Sequence, residues 1–168
     1  MMNVRVIARL DVKGPNVVKG INLDCYRVVG LPQRLAEVYF KDGADEILYL
    51  DTVASLYQRA PNLDVIRATA QNVFIPITVG GGVKTTSDVR EILRAGADKV
   101  AINTAGVANT QLLKDSVQMF GSQCIVASLE VQRKSKNKFE IWVDNGRQPT
   151  GIDALEWARQ AVDLGCGE

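Results

Sequence analysis

Histidine is absent from the 168 residues. That excludes Ser-His and Cys-His nucleophile pairs and histidine-ligated metal sites, and it leaves proton transfer to Asp, Glu, Lys, Tyr or Cys. Cysteine is scarce. Cys25, Cys124 and Cys166 are odd in number and no two form a C-x-x-C, which speaks against a disulfide framework or a zinc site and for a reducing, cytoplasmic setting. Aromatics make up 6%, so a core has to come from Val, Ile, Leu and Ala. No apolar run is long enough to span a bilayer, and the N-terminus enters strand-like sequence without a signal-peptide pattern. A net charge of +1 gives no electrostatic reason to expect nucleic acid or an acidic membrane as partner. What is present, 46% hydrophobic and 23% charged, is the composition of a globular domain whose chemistry falls to carboxylates. No metal and no cofactor are expected.

Short β-branched runs alternate with amphipathic segments. Strands are expected at residues 4–11 (VRVIARLD), 46–51 (EILYLD), 75–79, 99–103 and 124–130. Helices are expected at 31–42, opened by Pro32 and stopped by Gly43, at 61–72, opened by Pro61, and at 85–95, where Thr85 and Asp88 fit a capping box. Two more are expected at 109–120, with Asn109 as N-cap and Gly121 as stop, and at about 152–164, where Thr150 and Asp153 suit a capping box. Residues 132–149 break the rhythm and read as a β-hairpin inserted after the fifth strand. Gly43-Ala44-Asp45-Glu46, Gly96-Ala97-Asp98-Lys99 and Gly165-Cys166-Gly167-Glu168 repeat one helix-to-strand junction. Strand–helix alternation implies a parallel sheet with right-handed crossovers. It leaves an open doubly wound sheet and a partial barrel level, although no G-x-G-x-x-G follows the first strand.

Ligands of parallel α/β folds bind where strands finish. The finishing residues here are Asp11, Asp51, Gly80 to Gly82, Asn103 with Thr104, and Glu130. A lone Asp at such a place most often just faces water; three carboxylates, a glycine turn and an amide at matched positions suggest a site. The glycine turn before a helix reads as an anion cradle, with the helix dipole behind it. At the opposite strand ends Arg5, Glu46, Lys99 and Glu168 alternate in sign, which on bare physics is a stabilising ion-pair ring. Trp157 reads as packing, and the basic run Arg133 to Lys136 as a solvated hairpin tip. Tyr26, Tyr39, Tyr49 and Tyr57 suggest no partner.

The stretches IARLDVKGPNVVKG (7–20), IPITVGGGVKTTSDV (75–89), RAGADKVAINTA (94–105) and FGSQCIV (120–126), with TGID and GCGE toward the end, closely resemble the HisF family. That family includes the cyclase subunit of imidazole glycerol phosphate synthase. The resemblance covers essentially the whole chain. It implies a (β/α)8 TIM barrel, here truncated after about five βα units, with residues 1–168 as one partial barrel domain. It implies a synthase that takes ammonia from a glutaminase partner and acts on a phosphorylated ribonucleotide. Asp11 would be the catalytic acid or base, and Glu130 a second catalytic carboxylate at the mouth, which Asp51 also lines. Lys19 would reach the substrate from a mobile loop after the first strand. Gly81, Gly82, Asn103 and Thr104 would bind its phosphate. Arg5, Glu46, Lys99 and Glu168 would form an ammonia gate, and Asp98 and Gln123 would face the glutaminase. A second catalytic Asp, on the sixth strand, would lie beyond residue 168.

The chain departs from histidine-pathway members at Arg9, where they carry a small cysteine, at Glu130, one methylene longer than their aspartate, and in the Trp142–Arg147 surface. IARLD, KGPN, SLYQR and DNGR resemble the paralogous branch that supplies ammonia for acetamidino groups on surface sugars. Two further readings stand beside the enzyme: a non-catalytic half-barrel that binds phosphate or docks a glutaminase, and a sugar-phosphate isomerase. Open first and fifth strands would invite self-association of a truncated chain.

Overall fold

A computed structural model describes residues 4–21, 24–55, 57, 59 and 61–168. In chain order the elements are β1 (Ile7–Lys13), β2 (Asn16–Ile21), β3 (Asp24–Gly30), α1 (Pro32–Lys41), β4 (Glu46–Asp51), α2 (Leu63–Ala70), β5 (Ile77–Gly80), α3 (Thr86–Arg94), β6 (Lys99–Ile102) and α4 (Thr104–Ala108). They continue with α5 (Thr110–Phe120), β7 (Ile125–Ala127), β8 (Glu130–Ser135), β9 (Lys138–Val143), β10 (Gln148–Asp153) and α6 (Ala154–Asp163). Seven strands form one sheet in the order β3-β2-β1-β4-β5-β6-β7. β1, β4, β5, β6 and β7 run parallel, with a helix in each connection. This is the five-unit part of a (β/α)8 barrel, the second of the two architectures the sequence left level.

Strand alternation gives the sheet two different faces. Leu10, Val12, Ile47, Tyr49, Ile77, Val79, Val100, Ile102 and Ile125 are buried against the helices. Ile66, Val89, Ile92 and Leu113 cover them from the helix side, with Trp157 buried as packing. Each such aliphatic side chain contributes about 1.5–3 kcal/mol on burial. The opposite face carries Arg9 and Asp11 from β1 with Arg5 just before it, Glu46 and Leu50 from β4, Thr78 and Gly80 from β5, and Lys99 from β6 with Asn103 just after it. These polar side chains can share one face because a barrel interior, unlike the helix-covered side, has room for them to meet one another.

The repeated Gly-Ala-Asp junction has a mechanical reason. Asp45 brackets the preceding strand: its backbone N–H donates to the Val6 carbonyl at 2.9 Å, and its carboxylate accepts from the Val6 N–H at 2.7 Å. Asp98 does the same to Ile77, at 2.9 and 2.8 Å. Gly43 and Gly96 precede them at φ of 89° and 110°, the left-handed turn that lets the chain leave a helix and enter a strand. At the third junction the residues at 167 and 168 lie along β7, the Gly167 N–H donating to Ile125 and the Glu168 carbonyl accepting from Ala127.

Four expectations are corrected. The segment after β1 is not a loop: β2 and β3 fold back as antiparallel strands, with Val17 and Val18 both buried across a register shift. The insertion after β7 has three strands, in the order β10-β9-β8, rather than two. That third strand uses Thr150, whose hydroxyl donates to the Ile141 carbonyl at 2.6 Å. The cap of α6 is therefore Asp153 alone, accepting from Leu155 and Glu156. Pro61 precedes the helix, and Asn62 caps it. The basic tip at 133–136 is exposed as expected, with Lys134 paired to Glu140 at 2.7 Å. Among the described residues no helix is long and apolar enough to cross a membrane.

Candidate active site

Asp11 sits near the C-terminal end of β1, level with Leu50 of β4. It is half-buried, and the Arg9 guanidinium, two residues back on the same face, donates to its carboxylate at 2.7 Å. Next along the rim lies a cleft of about 230 Å³. Asp51, Gly81, Gly82, Asn103, Thr104 and Glu130 all line it; Asp11 stands beside it rather than in its wall. Lys19 lies outside it too, exposed on β2 and opposite Arg27 of β3.

The glycine turn is needed for its shape. Gly81 and Gly82 both take positive φ, 96° and 74°. A Cβ at Gly81 would overlap the Asp51 backbone, and one at Gly82 would overlap the Arg59 carbonyl and the Ala54 methyl. Successive left-handed residues turn their N–H groups into one concavity, the geometry of a backbone anion nest. The helix dipole expected behind it is already answered within the helix: Thr85 caps α3, and the Asp88 carboxylate in its first turn accepts from the N–H groups of Lys84 and Thr85 at 3.0 and 2.8 Å. An anion in this cleft would therefore meet the turn and the polar groups of Asn103 and Thr104.

Asp51 has a second task that the sequence did not suggest. Its register places it on the helix-facing side, and its carboxylate accepts from the Val53 N–H at 3.1 Å and from Arg59 at 2.8 Å. It thus anchors the loop after β4. Arg59 belongs to the Ser55–Arg59 motif, of which Leu56 and Gln58 lie outside the described residues.

Glu130 begins β8 of the small sheet instead of ending the fifth parallel strand. That strand closes at Ala127 because β8 pairs with β9 from Glu130 onward. The Gly146 N–H donates to the Glu130 carboxylate at 2.7 Å. Burial raises the pKa of Glu130 above the ordinary glutamate value, against the pull of Gly146, Arg9 and Asn103, and with Asp144 pushing further up. The Asn103 carboxamide approaches closely enough to favour the charged form, yet neither of its own buried polar atoms makes a well-aligned hydrogen bond. A raised folded-state value means that the native protein holds this proton more tightly. Stability from this group is complete below the ordinary glutamate value near 4.5 and is lost as pH climbs through the raised one. Glu130→Gln is expected to flatten that decline, read as urea midpoints from acid to neutral pH. An unchanged slope would remove Glu130 as its source.

At the other ends of the strands the alternating charges meet. Glu46, almost fully buried, takes Lys99 at 2.9 Å and Arg5 at 3.4 Å; Glu168 takes Lys99 at 2.7 Å and also pairs with Arg5. The Thr78 hydroxyl donates to Glu46. The four ions form a closed ring. Four residue steps along β4, roughly 13 Å of strand, take the chain from Glu46 to Leu50 at the level of Asp11. Removing Lys99 leaves a buried carboxylate with one more distant cation, Arg5, and the Thr78 hydroxyl. Lys99→Ala is expected to cost about 2 kcal/mol, below the ~3–5 kcal/mol of a fully broken buried pair because Arg5 stays; urea denaturation measures it. Asp98 and Gln123 are exposed at this end, the Asp98 carboxylate being held by Ile77 as described. Among the described residues no group of three or more Cys, Asp or Glu is arranged to hold a metal ion.

Two features escaped sequence reasoning. Tyr26 has a partner after all, accepting from the Asn145 carboxamide at 2.9 Å across 119 positions. Asp144 and Asn145 also line the cleft; their signal was the DNG turn, read as a surface feature.

A parallel barrel sheet with carboxylates, a glycine nest and a buried amide at the strand C-termini, and a charged ring at the N-termini, belongs to the class of α/β-barrel proteins that place their chemistry at the C-terminal rim. Comparison with known sequences narrows the class. The profile of the family described as "Histidine biosynthesis protein" matches residues 5–168, and the chain belongs to that family. It is 52% identical to the imidazole glycerol phosphate synthase subunit HisF of Legionella pneumophila over 168 residues, all of this chain and 79% of that protein. It is 47% identical to the subunit of the same name from Clostridium botulinum (strain Kyoto / Type A2), over 100% of this chain and 67% of the relative. The HisF subunit of Streptomyces coelicolor is 49% identical over 98% of this chain and 66% of its own length.

Proposed function

We propose that the chain is the N-terminal part of a HisF-type cyclase subunit, which uses ammonia on a phosphorylated ribonucleotide. The relatives named above support the cyclase assignment, and the observation that carries the chemistry is the polarity of the barrel. Carboxylates and an anion nest occupy one rim, and a closed ring of four ions the other. Gly81, Gly82, Asn103 and Thr104 hold a phosphate, and Lys19, carried by the β2–β3 extension, meets the same anion from above. Ammonia addition and ring closure need a group that takes protons from nitrogen and one that returns a proton to a leaving oxygen. In this reading Asp11, with its carboxylate held by Arg9, takes the first role, and Glu130, which keeps its proton more readily, the second. Ammonia released by a glutaminase docked around Asp98 and Gln123 enters where Arg5, Glu46, Lys99 and Glu168 part.

The full-length protein tests this with an ammonium salt as nitrogen source and, separately, with glutamine plus the partner subunit. Turnover in both settings is expected. Turnover that is indifferent to ammonium contradicts the proposal.

A second reading keeps the ammonia chemistry but directs it to acetamidino groups on sugars. The Arg9–Asp11 ion pair favours it, because a guanidinium inside the barrel changes the shape and charge that the substrate meets. Turnover of the sugar acceptor in place of the ribonucleotide distinguishes the two.

A further inference from the structure

The turn between β9 and β10 is unlike an ordinary hairpin tip. Hairpin tips face water, yet Asn145 is 5% exposed. Asp144, Asn145 and Gly146 all take left-handed backbone, at φ of 52°, 59° and 71°. Two of them are not glycine, and such conformations persist where the surroundings hold them in place. Three hydrogen bonds to three different elements do so here. The Asp144 N–H donates to the Thr104 hydroxyl at 3.1 Å, and the Gly146 N–H to the Glu130 carboxylate at 2.7 Å. The Asn145 carboxamide donates to the Tyr26 hydroxyl at 2.9 Å. Tyr26 lies on β3, one position before Arg27, whose partner across the antiparallel pair is Lys19. The Lys13 ammonium sits over the Tyr26 ring, 5.1 Å from its centre.

We infer that Asn145 is a positioning residue that ties the β2–β3 extension to the mouth of the cleft. One turn thereby fixes Thr104, Glu130 and the strand pair that carries Lys19. The two N–H donors orient a hydroxyl and a carboxylate of the candidate site, and the carboxamide holds the extension against the same rim. The Thr104 hydroxyl accepts from Asp144, so its own proton stays available for an anion in the nest. Occupation of the nest and anchoring of the extension are coupled through this turn. The coupling rests on the reading of the glycine turn as an anion site, whereas the link between Asn145 and Tyr26 does not.

Limited trypsin digestion of the full chain reads the link, since Lys19 and Arg27 both lie in the extension. Tyr26→Phe removes one hydroxyl and no packing; Asn145→Gly removes the carboxamide and suits the left-handed backbone. Each variant is expected to be cut in the extension about three- to tenfold faster than wild type, the effect of one hydrogen bond. The double variant is expected to be cut no faster than either single one, because both remove the same bond. Cleavage at the wild-type rate in both single variants, or fully additive acceleration in the double variant, overturns the inference. Repeating the digestion with inorganic phosphate separates the two readings. Protection of wild type that is weakened in Tyr26→Phe supports the coupling, and equal protection in both overturns it. No protection of the wild type, with the variants still cut faster, instead overturns the anion site while the link stands.

Discussion

Asp11→Asn is expected to lower ammonia-dependent turnover by about 10²–10⁴-fold, the range typical of losing a positioned proton-transfer group. The substitution keeps the shape of the side chain and its place near the end of β1. It removes the charge and the capacity to take a proton. Arg9, which donates to this carboxylate at 2.7 Å, keeps an oxygen to bond, so the fold has little reason to fail. Kinetics should therefore separate cleanly from stability: kcat falls, while the urea midpoint moves little. The assay is the ammonium-driven reaction of the full-length protein at saturating substrate. A loss under about tenfold would assign the proton transfer elsewhere, with Glu130 as the next group to test.

Gly81→Ala is expected to abolish the anion nest and to destabilise the protein. The glycine sits at φ 96°, which costs a non-glycine residue about 1–3 kcal/mol. The added methyl would also overlap the Asp51 backbone. Asp51 is buried and anchors the following loop through Val53 and Arg59, so that backbone has little freedom to retreat. The expected loss is at least about 2 kcal/mol, with phosphate binding weakened more than tenfold. Gly14→Ala supplies the control: it has positive φ, 61°, but open space around its Cβ, so it is expected to show the backbone cost without the loss of binding. Equal phosphate affinity in Gly81→Ala and wild type would remove the turn from the site.

Local chemistry made much of the fold readable. The Thr85–Asp88 capping box, the Asn109 cap and the Gly43 and Gly96 junctions each rest on residues a few positions apart, and each forms as the sequence suggests. The charged ring was readable for a different reason. Glu46, Lys99 and Glu168 each close a repeated helix-to-strand junction, and Arg5 stands just before the first strand, so parallel strands in register bring the four level. What failed was decided by distant partners. Thr150 and Asp153 are equally good caps by type; the choice fell to Asp153 because β10 pairs with β9 and engages Thr150 with Ile141. Glu130 looked like a strand end, but pairing with Trp142 assigns it to the small sheet. The β2–β3 pair was hidden because Val17 and Val18 are buried side by side at a register shift, which erases the alternation that marks a strand. The Asn145–Tyr26 bond joins residues 119 positions apart, and no local pattern reports such a pair.

The most direct measurement is an amide NMR titration of the full-length protein with inorganic phosphate. Shifts are expected at Gly81, Gly82 and Thr104, with Lys99 and Glu46 at the far strand ends unmoved. Shifts centred on Arg5, Glu46 and Lys99, with the glycine turn silent, would contradict the assignment of substrate to one rim and the charged ring to the other.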